Sequence, residues 1–461
     1  MSHQYIPNDT DDIKKNLKKE INIDSLEDLF SDIPETILLR KKLALPTPLS
    51  ELETRRVIEE ILDKNLSTNE VVSFLGAGTW PHFVPALVDE ISSRNEFLTS
   101  YTPYQPEVNQ GILQALFEYQ SMICEIVDMD VANCSMYDWA SSLGEAARMA
   151  ARVTRRNEIL IPHFISPERL EVLKSYSKPA GIVVTEIKQS LEDGQFYLED
   201  LKNKVSKNTA GVYVENPSYL GFLVNHVESI SEIIHDAGGL LIVGVEPTSL
   251  GVFKPPGNYG ADIVVGEGQP LGNYMNNGGP LLGIFACKDE PSLIRQMPGR
   301  IVGLTTTQDQ NRRVFCMVLQ TREQHIRRHK ATSNICTNQT LCALRASSYM
   351  ALLGWNGLKE LSEIILSKTL YALKKLSELD SVRTPFFKAC HFKDFTVNFD
   401  HASKSVEEVN HNLLEHKIYG GKPLNNEFPE MGQTSLYCVT ELHTLEEINK
   451  LRESLEKILG D

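Results

Sequence analysis

The sequence predicts an α/β protein: a large domain built on a mostly parallel, helix-covered sheet, then a smaller α+β C-terminal domain. Three observations carry this. Between residues 131 and 287, short apolar runs alternate with amphipathic stretches, as in chained βαβ units. The runs EILIP, GIVVTEI, AGVYVEN and LLIVG are continuous rather than alternating, as in strands covered on both faces, with right-handed crossovers between them. After about Asp309 the texture changes to long helical patterns and two isolated strand-like runs.

The elements follow in order. Residues 1–69 read as a helical arm. Asp9 or Thr10 can cap a short polar helix, and SLEDLFSDIPE carries a second. Ser50 with Glu53 forms a capping box opening a helix to about Asn65, with Leu52, Ile58, Ile61 and Leu62 on one stripe. Pro34, Pro46 and Pro48 separate these helices. With few apolar residues of its own, the arm is expected to pack on a neighbouring subunit or on the chain's own body. Residues 70–308 form the large domain. VVSFLGAGTWPHFVPALVDEI is a strand or turn, a glycine loop and a helix. The proline-punctuated FLTSYTPYQPEVNQG leads into a helix on which Val108, Ile112, Leu116, Tyr119, Ile123 and Ile126 share a face. MYDWASSLGEAARMAARVT is a loop entering a helix, and strands and helices then alternate. The last strands are expected at 240–244, 262–265 and 281–286. In residues 309–461, helices are expected at 309–330, 338–353 and 357–379. Short strands near 395–399 and 435–439 flank a helix near 405–417.

Composition narrows the function. The 461 residues carry 46 basic and 61 acidic side chains, a formal net charge of −15. That disfavours a nucleic-acid partner held by phosphate contacts. No apolar run approaches a membrane span, and the N-terminus reads as neither signal peptide nor presequence. The eight cysteines form no CxxC pair and suggest neither a disulfide framework nor a zinc site, so a cytoplasmic location is expected.

Few residues suggest chemistry. Asp138 to Glu145 enter a helix whose free N–H groups could cup a phosphate; the alternative is an ordinary N-cap by Ser141 or Ser142. GEGQPLGNYMNNGG has five glycines and no basic residue, and reads as a tight loop or as one facing a site that another chain completes. Tyr101, Thr102, Tyr104, Gln105 and Glu107 crowd a proline-fixed loop where phenol and amide groups could orient a small zwitterion; packing of the tyrosines, with Glu107 as a cap, is the alternative. His82 reads as a structural histidine. His163 follows the strand EILIP, where ligands of open sheets bind. Lys254 and Lys288 sit in polar loops unsuited to a Schiff-base lysine. No Ser/His/Asp set or metal-ligand cluster stands out.

FLGAGTWPHFVPA at 74–86, SYTPYQPEVNQGILQALFEYQ at 100–120, NPSYLG at 216–221 and FKPPGNYGADIVVGEGQPLG at 253–272 carry a resemblance, as do YIPNDTDD and DLFSDIPE nearer the start. They resemble glycine decarboxylase, the P-protein of the glycine cleavage system, and within it the N-terminal-half chain, subunit 1, of the split form. One departure is Glu246-Pro247, where an aspartate before the proline is expected. The resemblance implies a fold-type-I pyridoxal-phosphate (PLP) transferase architecture. In that architecture an aspartate under the pyridine nitrogen ends one strand and the Schiff-base lysine follows the next; the positions here read Gly244 and Pro270. It further implies that PLP sits on the lysine of a homologous subunit 2, that two of each chain form an α2β2 assembly, and that the active site lies near their interface. Glycine would lose carbon dioxide there, and its aminomethyl group would pass to the lipoyl arm of H-protein. This chain would bind no cofactor covalently, and Tyr101, Thr102, Tyr104, Gln105 and Glu107 would wall the shared site. A self-sufficient PLP-dependent lyase or aminotransferase, and a non-enzymatic scaffold that kept the fold, are the alternatives.

Overall fold

The computed structural model describes residues 5–460 except Pro7, Asn69, 100–102, Tyr104, Gln310 and Cys336. The chain divides into two compact units, one ending at Leu66 and one beginning at Ser67.

In the first unit, the helix Asp11–Glu20 is capped by the Thr10 hydroxyl, which accepts from the Ile13 N–H. The helix Glu51–Leu62 opens on the expected capping box of Ser50 and Glu53. DLFSDIPE yields only a 3-10 turn, Glu27–Phe30. None of these helices contains a buried residue.

The second unit begins with a two-residue strand β1 (Val72–Ser73). β2 (Val131–Ala132), β3 (Glu158–Pro162), β4 (Val183–Ile187), β5 (Thr209–Glu215), β6 (Leu240–Val245), β7 (Ile263–Glu267) and β8 (Gly283–Cys287) then form one seven-stranded sheet, ordered β2-β8-β7-β6-β5-β3-β4. The strands from β7 to β4 run parallel, and β8 is antiparallel to both β7 and β2. Val212, Val214, Leu241, Val243 and Val245 enter one apolar core, while Tyr213 and Ile242 enter another. Successive side chains of a strand point to opposite faces, so a run apolar at every position fills two layers.

The C-terminal half departs from expectation. The helix expected at 309–330 is absent. Instead β9 (Ile301–Thr306) and β10 (Arg313–Val318) pair as an antiparallel hairpin, followed by short turns. RVFCMV is rich in β-branched and aromatic residues, and its pairing with IVGLTT overrides the helical spacing of the polar residues around it. The hairpin runs across the expected boundary at 308–309. The next two helices are one element, Thr340–Leu376, bent at Gly354 (φ 58°, ψ −172°). β11 (Asp394–Asn398), β12 (Ile418–Tyr419), β13 (Lys422–Pro423) and β14 (Thr434–Cys438) complete the strands. β11, β14 and β13 form a small sheet, and β12 pairs in parallel with β1. The helices Val406–Glu415 and Leu445–Leu459 pack on this sheet around Phe395, Val397 and Tyr437. Among the described residues no helix is long and apolar enough to cross a membrane.

Candidate functional site

In an open parallel sheet the carboxyl ends of the strands face a crevice. Here the last residue of β5, the residue after β6 and the last residue of β7 are all glutamates: Glu215, Glu246 and Glu267, each buried. A buried carboxylate must be matched by a cation or by hydrogen-bond donors. The chain supplies both.

Glu215 pairs with Arg169 at 2.9 Å and accepts from the Tyr213 hydroxyl at 2.9 Å. Arg169 comes from the helix Pro167–Ser177, and its guanidinium lies 3.5 Å from the centre of the Trp139 ring. The Trp139 indole N–H in turn donates to the Tyr213 hydroxyl at 2.9 Å. Glu246 pairs with Lys393 at 3.1 Å and accepts from the Thr248 N–H and hydroxyl. Lys393 is fully buried; its ammonium sits 3.8 Å from the Trp80 ring centre and 3.2 Å from His82 Nε2. His82 Nδ1 meets Glu441 at 2.8 Å. Beside Lys393, Asp394 accepts from the Trp80 indole at 2.7 Å, and burial pushes its carboxyl up to about 6 against the pull of Lys393. A cavity of only about 10 Å³ remains among these side chains.

The helix Trp139–Thr154 opens toward this crevice. Its N-cap is Asp138, not Ser141 or Ser142: the Asp138 carboxylate accepts from the Ser141 N–H at 2.7 Å. Glu267 takes the Trp139 N–H at 3.2 Å together with the N–H groups of Gln269 and Leu282. Burial raises the Glu267 carboxyl to about 7 despite these donors. Two carboxyl groups therefore take up N–H groups that a phosphate would seek at this helix end.

The glycine-rich loop is mostly internal. Gln269 is buried and exchanges hydrogen bonds with the Trp80 backbone in both directions, and Pro270 and Asn273 are buried. Pro270 lies just beyond β7, leaving no amine there. Gly244 lies inside β6, one residue short of its end, and a Cβ on it would come within 2.4 Å of the Tyr213 hydroxyl and 2.7 Å of Trp139. Reading from sequence stops this strand at Gly244; the strand continues to Val245, and the carboxylate that follows is Glu246.

The aromatic loop is described in part. Tyr101, Thr102 and Tyr104 lie outside the described residues. Gln105 and Glu107 are exposed. Glu107 falls in the 3-10 turn Pro106–Val108 and does not cap the following helix, Gln110–Val127, whose N-terminal residue Asn109 makes no side-chain cap. Gln110 fixes the segment by a reciprocal pair of 2.9 Å hydrogen bonds with the Phe315 backbone on β10. His163, at the carboxyl end of β3, bridges Glu186 (3.2 Å) and Glu430 (2.6 Å). Lys254 pairs at the surface with Glu228, and the half-buried Lys288 pairs with the buried Asp262. The functional-looking residues that sequence reasoning missed are Arg169, Lys393 and Asp394. The only local signal is a charged pair inside the aromatic run HFKDF. No group of three or more metal-ligating side chains occurs among the described residues, and their cysteines are free.

Residues 3–455 match the family described as glycine cleavage system P-protein. The chain belongs to that family. Among curated P-protein relatives, probable glycine dehydrogenase (decarboxylating) subunit 1 of Staphylothermus marinus is 47% identical, covering 100% of this chain and 99% of the relative. The protein of the same name from Thermococcus onnurineus is 48% identical over 99% of this chain and 100% of the relative. A crystal structure of glycine decarboxylase (P-protein) in inhibitor-bound form superposes with TM-score 0.88 at 38% identity, covering both chains fully. A sphingosine-1-phosphate lyase of Burkholderia pseudomallei, 12% identical with TM-score 0.66, shares the fold over 92% of this chain. The P-protein chain thus has a PLP-enzyme fold with a mostly parallel central sheet, and the name subunit 1 in its relatives implies a second subunit.

Proposed function

We propose that this chain is subunit 1 of a glycine dehydrogenase (decarboxylating), and that a homologous lysine-bearing subunit carries the PLP. The observation that supports this is the crevice at the ends of β5, β6 and β7. The N–H groups a phosphate would use are bonded to Asp138 and Glu267, Arg169 covers the face of Trp139, and Lys393 is bound to Glu246. These residues do not fit PLP, so no chemical step is assigned to it in this crevice. The relatives' name supports the decarboxylation of glycine; in our reading the aminomethyl group then passes to the lipoyl arm of H-protein.

The part left to this chain is to shape and dry a site whose cofactor belongs to the partner. Tyr101, Thr102, Tyr104, Gln105 and Glu107 form a wall of that site, in an α2β2 assembly. The exposure of Gln105 and Glu107, and the anchoring of their loop by Gln110, suit that role. The free cysteines suit a reducing compartment, the cytoplasm.

Co-expression with the partner subunit tests this. The complex, supplied with PLP and lipoylated H-protein, is expected to release carbon dioxide from glycine, and this chain alone is not. In the complex, Tyr104→Phe with Gln105→Ala should weaken glycine–bicarbonate exchange. Decarboxylation by the solitary chain with PLP bound to its own lysine overturns the reading, and unchanged exchange removes the loop from the site.

A further inference from the structure

The chain is acidic overall, at a formal net charge of −15, yet HIRRHK at 325–330 gathers two arginines, a lysine and two histidines within six residues. All six residues are exposed. The Arg327 guanidinium donates to the Thr321 carbonyl at 3.2 Å, and the Arg328 and Lys330 side chains have no hydrogen-bond or ion-pair partner among the described residues. The one acid nearby in the chain, Glu323, is half-buried and lies 4.0 Å from Arg322. Like charges held this close in sequence repel one another, and a bound anionic surface relieves that repulsion.

The loop that carries these charges is pinned at its neck. Arg322 is buried, and its guanidinium donates to the Met297 and Gly299 carbonyls. Its own carbonyl accepts from the Thr332 N–H at 3.1 Å, which closes residues 323–331 into a loop. The Gln324 amide donates to Asn334 at 3.0 Å, and the Ser333 hydroxyl to Glu145 at 2.8 Å. A loop fixed in this way has little ordering left to do when something binds it. It also follows the hairpin that anchors the proposed wall of the shared site. Gln110 holds the wall segment to Phe315, and β10 runs from Phe315 to Val318, about 10 Å at the rise of a strand, before the chain turns toward the loop.

We propose that the loop 323–331 is the docking platform for H-protein, which meets it with an acidic face. This rests on the reading of the chain as subunit 1, in which H-protein brings the lipoyl arm. The core of a permanent interface is apolar and poor in lysine. A carrier that must leave after every turnover is held instead by exposed charges, which speed its approach and leave the complex short-lived. The net negative charge of the rest of the chain repels an acidic partner, so this loop orients the carrier as well as attracting it. The same net charge disfavours nucleic acid as the occupant.

The probe is lipoylated H-protein, titrated against the complex of this chain with its partner subunit. Wild-type binding is expected to weaken as salt rises. Arg327→Glu with Lys330→Glu should weaken binding, and raise KM for H-protein, about tenfold or more, with kcat at saturation retained. Arg327→Lys with Lys330→Arg, which keeps the charge, should bind as the wild type does. Free lipoamide, a small acceptor with no acidic face, should serve the charge-reversed and wild-type complexes equally. Circular dichroism and sedimentation velocity report fold and assembly, and where the reversed variant misfolds, Lys330→Gln gives the same direction at about threefold. Unchanged binding overturns the proposal, as does binding of duplex DNA as tight as that of H-protein. An equal loss with lipoamide overturns it by placing the loop in the reaction site, and loss of the two-chain assembly by making it a seat for the partner subunit. If the wild-type complex decarboxylates glycine with no acceptor at all, the reading of function fails, and the titration still decides docking: binding that ignores salt and charge reversal overturns it.

Discussion

Lys393 carries more of the crevice than its neighbours in the chain suggest. Its ammonium is buried between Glu246, the Trp80 ring and His82. Removing one member of a buried ion pair strands the other charge, which costs about 3–5 kcal/mol, whereas removing both can be nearly neutral. Lys393→Met is therefore expected to lower unfolding stability by about that amount, and Lys393→Met with Glu246→Leu by distinctly less; urea titration of both variants checks this. The charged pair is visible in HFKDF, but its partners are not. A lysine within HFKDF looks like a solvated charge, and only the approach of Glu246 and His82, far away in sequence, explains it. By contrast, the absence of a lysine at Pro270 was plain from the sequence, because a residue type needs no folding to be read.

Whole elements show where pattern reading succeeds. The capping box at Ser50 and the helix Gln110–Val127 were legible, because each is specified by residues within a few turns of itself. The hairpin of β9 and β10 was not, since an apolar run becomes a strand only when a partner run lies beside it. The long helix Thr340–Leu376 was seen in two pieces with the break in the right place. Gly354 adopts a backbone conformation open essentially to glycine alone, and it bends the element without ending it. Although a Cβ there would meet open space, Gly354→Ala should cost about 1–3 kcal/mol from backbone strain, read as a fall in thermal midpoint. The Asp138 cap illustrates a subtler limit. The sequence reading names Ser141 or Ser142 as the cap, and Asp138 takes that place in a segment that the bridge between Met136 and Gly283 of β8 holds against the sheet.

For the molecule as a whole, the filled crevice predicts how the chain responds to the cofactor of its fold. A ligand that binds the native state raises apparent stability by mass action. PLP in large excess is therefore expected to leave the thermal midpoint of the isolated chain unchanged and to produce no aldimine absorbance. A clear rise in midpoint would mean that Arg169, Asp138 and Glu267 yield to the ligand. The sequence by itself determined the α/β class, the family and the capping boxes, because these depend on residue type and near-neighbour spacing. Tertiary structure decided which charges meet. Glu215 with Arg169, Glu246 with Lys393, and Asp138 with Glu267 at one helix end are separated along the chain by tens to hundreds of residues. No local periodicity records such pairings; they arise when the parallel strands bring their carboxyl ends to one edge and burial obliges every carboxylate there to find a partner.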